Sequence, residues 1–182
     1  GSDTIEIRYM TAKDEDILTS QTLLKKGVAI DRFVDNVIVN KSIKAVDLLM
    51  GDRNAILIAA RVSGYGSTYD ALVNCRECGK QNRLEFDLGN STIKEGTVHE
   101  DLNVMKNGDG TYDVKLPYSQ FTVTLRLMTG LDENYIAQHL AKVRKKNLQE
   151  NLLTTQFKRI IVAIEGHTDK GVLEQFIDNM TA

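Results

Sequence analysis

The sequence predicts an α+β fold in which N-terminal and C-terminal helices pack around a small, mainly antiparallel sheet that includes a Cys-x-x-Cys hairpin. Three observations predict it. Apolar residues recur at helical spacing in the first and last thirds of the chain, whereas the middle alternates in period two between clusters of Gly, Asn and Asp. The third is size: 182 residues, 42% of them hydrophobic and 26% charged, can bury a core without disulfide or metal. The expected organisation is a single domain over residues 1–182, with a helical half at 3–66, a β-rich segment at 67–128 and C-terminal helices at 129–182. No internal repeat or low-complexity tract stands out.

The elements follow in order. Thr4-Ile5-Glu6-Ile7-Arg8 alternates as a short strand. Thr11 then caps a helix, with Asp14 three residues on in a variant of the capping box, and this helix carries Ile17, Leu18 and Leu24 as far as Gly27. Ile30, Phe33, Val34, Val37 and Ile38 form a cleaner amphipathic stripe. Ser42 is placed to cap a short turn through Val46, Leu48 and Leu49. After Gly51, Asp52-Arg53-Asn54 opens a helix through Ile56, Leu57, Ile58 and Val62, so apolar nearly all round that a central position is expected. Gly64-Tyr65-Gly66 ends it.

Thr68 to Asn74 and Arg83 to Leu88 read as strands flanking Cys75-Arg76-Glu77-Cys78-Gly79, a hairpin with the cysteines at its tip. The stretch from Gly89 to Gly110 is polar, and Asn107-Gly108-Asp109-Gly110 marks a turn before a strand at Thr111 to Leu116. A further strand alternates over Phe121 to Leu127. Three helices close the chain: one with Tyr135, Ile136, Leu140 and Val143, one with Leu153, Phe157, Ile160, Ile161 and Ile164, and one with Leu173, Phe176, Ile177 and Met180.

Charge narrows the functions. Lys and Arg total 23 against 25 Asp and Glu, a formal charge of -2, so no global field draws in nucleic acid or anionic lipid. The most apolar run, Ala55 to Ala60, lies between Arg53 and Arg61 and is far shorter than the ~20 residues of a membrane span. Gly1-Ser2-Asp3 has no signal-peptide character and is similar to the remnant of a cleaved expression tag, which points to a trimmed piece of a longer protein. Two cysteines only two residues apart fit a reducing compartment better than a secreted scaffold.

Cys75 and Cys78 are the candidate metal ligands, because two thiolates at this spacing on a tight turn can occupy two corners of a tetrahedral Zn²⁺ site. That is half a site. His99, His139 and His167 are scattered without ligand spacing, and two reduced thiols on a hairpin remain the alternative. A thioredoxin-like pair would need a helix after the first cysteine, and here a strand follows. Gly64-Tyr65-Gly66 completes no nucleotide-binding pattern. The acidic Asp14, Glu15 and Asp16 read as a solvated helix N-terminus favoured by the dipole, and Lys142, Arg144, Lys145 and Lys146 as a wet helix end. No catalytic constellation is visible, so the chain is not expected to be an enzyme; a zinc-ribbon nucleic-acid module using the hairpin and this basic run is the competing class.

The series Met10 to Ser20, Leu23-Leu24-Lys25-Lys26-Gly27, Gly51 to Arg61, Tyr65-Gly66, Cys75-x-x-Cys78-Gly79, Phe86-Asp87-Leu88, Lys115-Leu116-Pro117, Leu127 to Glu133 and Phe176 to Met180 resembles the baseplate hub proteins of T-even-type contractile-tailed bacteriophages. The resemblance covers nearly the whole chain. It implies a non-enzymatic component of the virion tail baseplate, assembled in the bacterial cytoplasm and acting through interfaces with other hub or wedge proteins or with further copies of itself. The family it resembles includes structural subunits and assembly chaperones that leave the particle. Its members continue beyond the Asn179-Met180 region to a second Cys-x-x-Cys, so the resemblance makes Cys75 and Cys78 the first two of four zinc ligands in a longer chain.

Overall fold

The computed structural model describes residues 4–91 and 103–180, and the chain divides into two compact units, Gly1–Lys94 and Glu95–Ala182. The α+β prediction holds: among the described residues there are seven α-helices and two small antiparallel sheets. No helix among the described residues is long and apolar enough to cross a membrane.

In the first unit the expected N-terminal strand is reduced to one bridge, Ile7 opposite Ile38, held by Arg8 N donating to Val37 O (2.9 Å) and Val39 N to Glu6 O (3.0 Å). The Thr11–Asp14 capping box opens α1 (Ala12–Thr19) as predicted. That helix does not run on to Gly27. Ser20 is extended, and its hydroxyl accepts from Leu23 N (3.4 Å), so it starts a second helix, α2 (Gln21–Lys25). Gly27, at φ +69°, then turns the chain into α3 (Ala29–Val37). Phe33, Val34, Val37 and Ile38 are buried as expected, while Ile30 faces out.

Ser42 is not a cap. Its N–H and hydroxyl both bond Asn40 Oδ1, and the short 3₁₀ turn Ala45–Asp47 is anchored instead by Ala45 N donating to Asp35 Oδ1 at 2.7 Å. Helix α4 (Met50–Tyr65) ends at Gly66, where φ is +82°. Its expected central position is corrected by the structure. Only Arg53, Ile56 and Ala60 are buried, because Arg53 turns inward to a buried ion pair with Asp31 of α3, and the face carrying Ala55, Ile58 and Ala59 is left outside. The core is Phe33, Val34, Val37, Ile38, Ala45, Ile56 and Ala60, with Ile5, Ile7 and Met10 packed against it. From Gly66 the chain enters the hairpin β1 (Thr68–Asn74) and β2 (Gln81–Asp87).

The second unit holds a four-stranded antiparallel sheet, ordered β3 (Val104–Lys106), β4 (Tyr112–Lys115), β5 (Thr122–Leu125), β6 (Ile161–Ile164). The predicted Asn107–Gly110 turn joins β3 to β4, with Asp109 Oδ1 accepting from Thr111 N (2.9 Å) and Gly110 at φ +85°. Helix α5 (Gly130–Lys145) and helix α7 (Lys170–Asn179) fall where their stripes place them. Helix α6 (Leu152–Ile160) does not extend through Ile164. Ile161–Ile164 instead pairs as β6 with β5, Val123 opposite Ile164 and Thr124 opposite Ala163. A short apolar run rich in β-branched residues satisfies a helical period and a buried strand equally, and the free edge of β5 decides for strand. Val123, Ile161, Ile164 and Ile177 form the core, with Leu116, Phe157 and Phe176 packed on it.

Candidate functional site

The hairpin carries the predicted metal ligands at its tip. Cys75 N donates to Lys80 O (2.8 Å) and Gly79 N to Cys75 O (2.9 Å), while Gly79 takes φ +70°, a conformation that glycine adopts without a Cβ penalty. This turn aims the N–H groups of Cys78 and Glu77 at Cys75 sulfur and draws its thiol below the ordinary range. Both thiols are free, Cys78 exposed and Cys75 half-buried. They fit two corners of a tetrahedral zinc site, since backbone donors that stabilise thiolate are what such a turn supplies. No group of three or more His, Cys, Asp or Glu side chains gathers for a metal among the described residues. His139 stacks on Tyr135 along α5, His167 sits in a bridge with Ile164, and His99 lies outside the described residues.

The hairpin is a two-stranded ribbon, and its register sorts the side chains. Tyr69 opposes Phe86 and Ala71 opposes Leu84, so Tyr69, Ala71, Val73, Leu84 and Phe86 share one face. Tyr69, Val73, Leu84 and Phe86 are each 42–46% exposed. The opposite face is mainly polar, with Asp70 ion-paired to Arg83 at 2.7 Å and Leu72 exposed among polar neighbours. A two-stranded ribbon is marginal by itself, so an apolar face of this kind is a surface with something to gain from a partner.

The acidic cluster is where the sequence expectation fails most. Asp14 is not solvated; it is fully buried. Its carboxylate receives Arg8 in a bidentate pair (2.7 and 3.0 Å), Thr11 N and Oγ1 (2.8 Å each) and Asn36 Nδ2 (2.6 Å). The Arg8 guanidinium, foremost, holds this carboxyl well below the usual carboxylate range against the opposing effect of burial. Glu15 does face outward, where it bonds the Tyr65 hydroxyl. Lys142–Lys146, by contrast, is the wet end of α5 as expected, with Arg144 paired to exposed Glu150 at 2.7 Å.

The second unit contains the same node. Asp132, also fully buried, receives Arg126 bidentately (2.7 Å twice), Thr129 N and Oγ1 (3.1 and 3.2 Å) and Arg159 through Nε and Nη2 (2.8 and 2.7 Å). Burial pushes the Asp132 carboxyl up, but the bonds from Arg126, Thr129 and Arg159 together outweigh it and hold the group well below its usual range. The correspondence extends along the chain. Arg8 Nη1 donates to Tyr9 O and Arg126 Nη1 to Leu127 O; Arg8 N bonds Val37 O and Arg126 N bonds Ile160 O. Helices α3 and α6 each span nine residues and end one residue after the third partner of the buried carboxylate, Asn36 or Arg159.

The chain therefore contains an internal duplication that the sequence reading did not find. Its signal was present: Arg8-Tyr9-Met10-Thr11-Ala12-Lys13-Asp14-Glu15 and Arg126-Leu127-Met128-Thr129-Gly130-Leu131-Asp132-Glu133 share Arg-x-Met-Thr-x-x-Asp-Glu. Each residue kept has a task in the node. Arginine pairs, threonine caps, and aspartate accepts from both. The duplicated nodes are scaffolds and not active centres, because every oxygen of each carboxylate is already engaged by the protein.

Three comparisons with known proteins complete these observations. A family model described as "T4 bacteriophage base plate protein" matches residues 1–182. No curated protein and no solved structure matches the chain.

Proposed function

We propose, for a chain that belongs over its whole length to the T4 bacteriophage base plate protein family, that it is a structural subunit of the baseplate central hub, working through protein–protein interfaces during tail assembly. The whole-chain family match carries the reading. The exposed apolar surface supports it physically: the Tyr69, Val73, Leu84 and Phe86 face of the hairpin, and Leu131, Tyr135, Leu152, Leu153 and Val172 on the C-terminal helices. A protein of this kind acts by what it binds, with other hub or wedge proteins as its partners in the virion tail, and needs no turnover. Half of the polar stretch between Gly89 and Gly110, residues 92–102, lies outside the described residues.

Mass spectrometry of purified, tail-complete virions tests the role. Peptides of this chain are expected at a stoichiometry comparable with other hub proteins; their consistent absence while those proteins are present would show instead a chaperone released after assembly.

Cys75 and Cys78 are proposed as two ligands of a zinc site completed by two further ligands from outside the described residues. In a longer chain carrying them, metal analysis is expected to give one zinc per chain, and Cys75→Ser to remove it. Absence of stoichiometric zinc in that chain, purified without chelator, refutes the site.

A further inference from the structure

The hairpin of the first unit has two outer edges, and they are not alike. Cys75 N bonds Lys80 O and Leu88 N bonds Ser67 O (2.9 Å), so the peptide groups of Asn82, Leu84 and Phe86 turn inward to β1. Those of Gln81, Arg83, Glu85 and Asp87 turn outward. Among the described residues no group bonds them. Every residue of β2 is exposed, and the chain that follows turns away onto α4, where Leu88, Gly89 and Ser91 line a groove with Ala55 and Ile58. The β1 edge differs. There Arg61 of α4 donates to Gly66 O (3.1 Å) and Thr68 O (3.3 Å), which closes its base.

The β2 edge has neither proline, lysine nor bulge to keep another strand off. Its charges act differently. Arg83 and Glu85 flank Leu84, so when two copies of β2 run antiparallel about Leu84, each Arg83 stands opposite Glu85 of the second copy, and each Gln81 opposite Asp87. These are the four residues whose peptide groups point outward, so the same register closes a hydrogen-bond ladder. Leu84 meets Leu84 of the second copy at the two-fold axis. The neighbouring registers are penalised: centring on Arg83 sets arginine against arginine, and centring on Glu85 sets glutamate against glutamate. Strand β1 offers no such selection, because Asp70 is the one charged residue in Thr68–Asn74.

We propose that β2 pairs with β2 of a second copy of this chain, giving an isologous dimer on a four-stranded antiparallel sheet in the order β1-β2-β2-β1. Charge complementarity fixes the partner, since the strand is its own complement under a two-fold rotation and in one register only. A ribbon of two strands is marginal alone, whereas four strands with a common apolar face are not. The axis runs perpendicular to the sheet, so Tyr69, Val73, Leu84 and Phe86 of both copies come to one side and double the apolar surface offered to a further protein. Arg83, already held by Asp70 at 2.7 Å on the other side, is fixed where Glu85 of the second copy meets it. The two hairpin tips point in opposite directions, which leaves Cys75 and Cys78 of each copy clear of the interface.

Sedimentation equilibrium of the full chain, with reductant and chelator present, is expected to show a monomer–dimer equilibrium with a dissociation constant of about 0.1 mM, weak because two seven-residue strands bury less than a standard interface. Arg83→Glu and Glu85→Arg set like charges opposite each other at both pairs, and each is expected to weaken self-association by about tenfold or more. An equimolar mixture of the two variants restores opposite charges at both pairs. It is expected to form mixed dimers of strength comparable with the unaltered chain, a rescue that a damaged fold would not produce. Amide hydrogen exchange at Arg83 and Glu85 is expected to slow by roughly fivefold or more as the unaltered chain is concentrated through this range, while Leu84, turned to Ala71, is unchanged. A chain that stays monomeric at about millimolar overturns the proposal, as does a dimer indifferent to both charge reversals. Exchange at Arg83 and Glu85 that is slow at every concentration also overturns it, by assigning the edge to this chain's own sequence.

Discussion

An Asp132→Ala variant is expected to lose on the order of 3 kcal/mol of stability, the scale of removing one partner from a buried ion pair. The loss has two sources. Arg126 and Arg159 remain with their charges turned toward a space that no longer neutralises them, and Thr129 N loses the acceptor that closes the first turn of α5. Both arginines keep about a third of their side-chain surface in water, which places the effect toward the lower end of the range for fully enclosed pairs. Asp14→Ala is expected to act in the same way on Arg8 and the start of α1. Urea unfolding reads the change, and a difference below about 1 kcal/mol for both variants would show that the nodes are not what holds strand to helix.

The same carboxylates set an acid limit. Because both are held below the usual range when folded, the unfolded chain takes up protons first as pH falls, and stability rises with pH through that window. The contribution is complete above about pH 5, where the carboxylates are ionised in the unfolded chain as well, and is lost progressively below it. The Asp14→Asn, Asp132→Asn double variant is expected to be weaker at neutral pH and to show a flatter dependence of the urea midpoint between about pH 5 and pH 2.

Phe33→Ala is expected to have a comparable or larger effect, about 3–5 kcal/mol. Phe33 is 1% exposed and sits with Val34, Val37, Ile38, Ala45, Ile56 and Ala60, in a cluster drawn from α3, α4 and the turn between them. Removing the ring leaves a void that surrounding backbone cannot fill without moving two helices. Ile30→Ala, three residues earlier on the same apolar stripe, is expected to change stability by less than about 0.5 kcal/mol, because Ile30 is 45% exposed. Thermal unfolding of the pair separates burial from sequence periodicity; equal losses would mean that the exposed face of α3 is itself covered in solution.

These residues show which signals reach a reader of the sequence. The Thr11–Asp14 box, the glycine stop at Gly66 and the Cys75–Cys78 turn were legible because each is satisfied within a few residues of itself. Ile161–Ile164 was not, since its state depends on β5, some forty residues earlier, offering a free edge. Nor was the role of Asp14, whose acidic neighbours fit a solvated helix start until Asn36 is brought across to it from α3. The outer face of α4 was misjudged for a similar reason: Arg53 finds Asp31, and that ion pair fixes which side of an evenly apolar helix turns inward.

The sequence by itself determined the α+β class, the hairpin with its paired thiols, and a family identity carried by motifs along the whole chain. Tertiary structure decided which polar groups are buried, which apolar faces are left for partners, and that one Arg-Thr-Asp node is built twice. The physical reason is range. Caps and turns are settled by neighbours in sequence, whereas burial and strand pairing are settled by residues that only folding brings together.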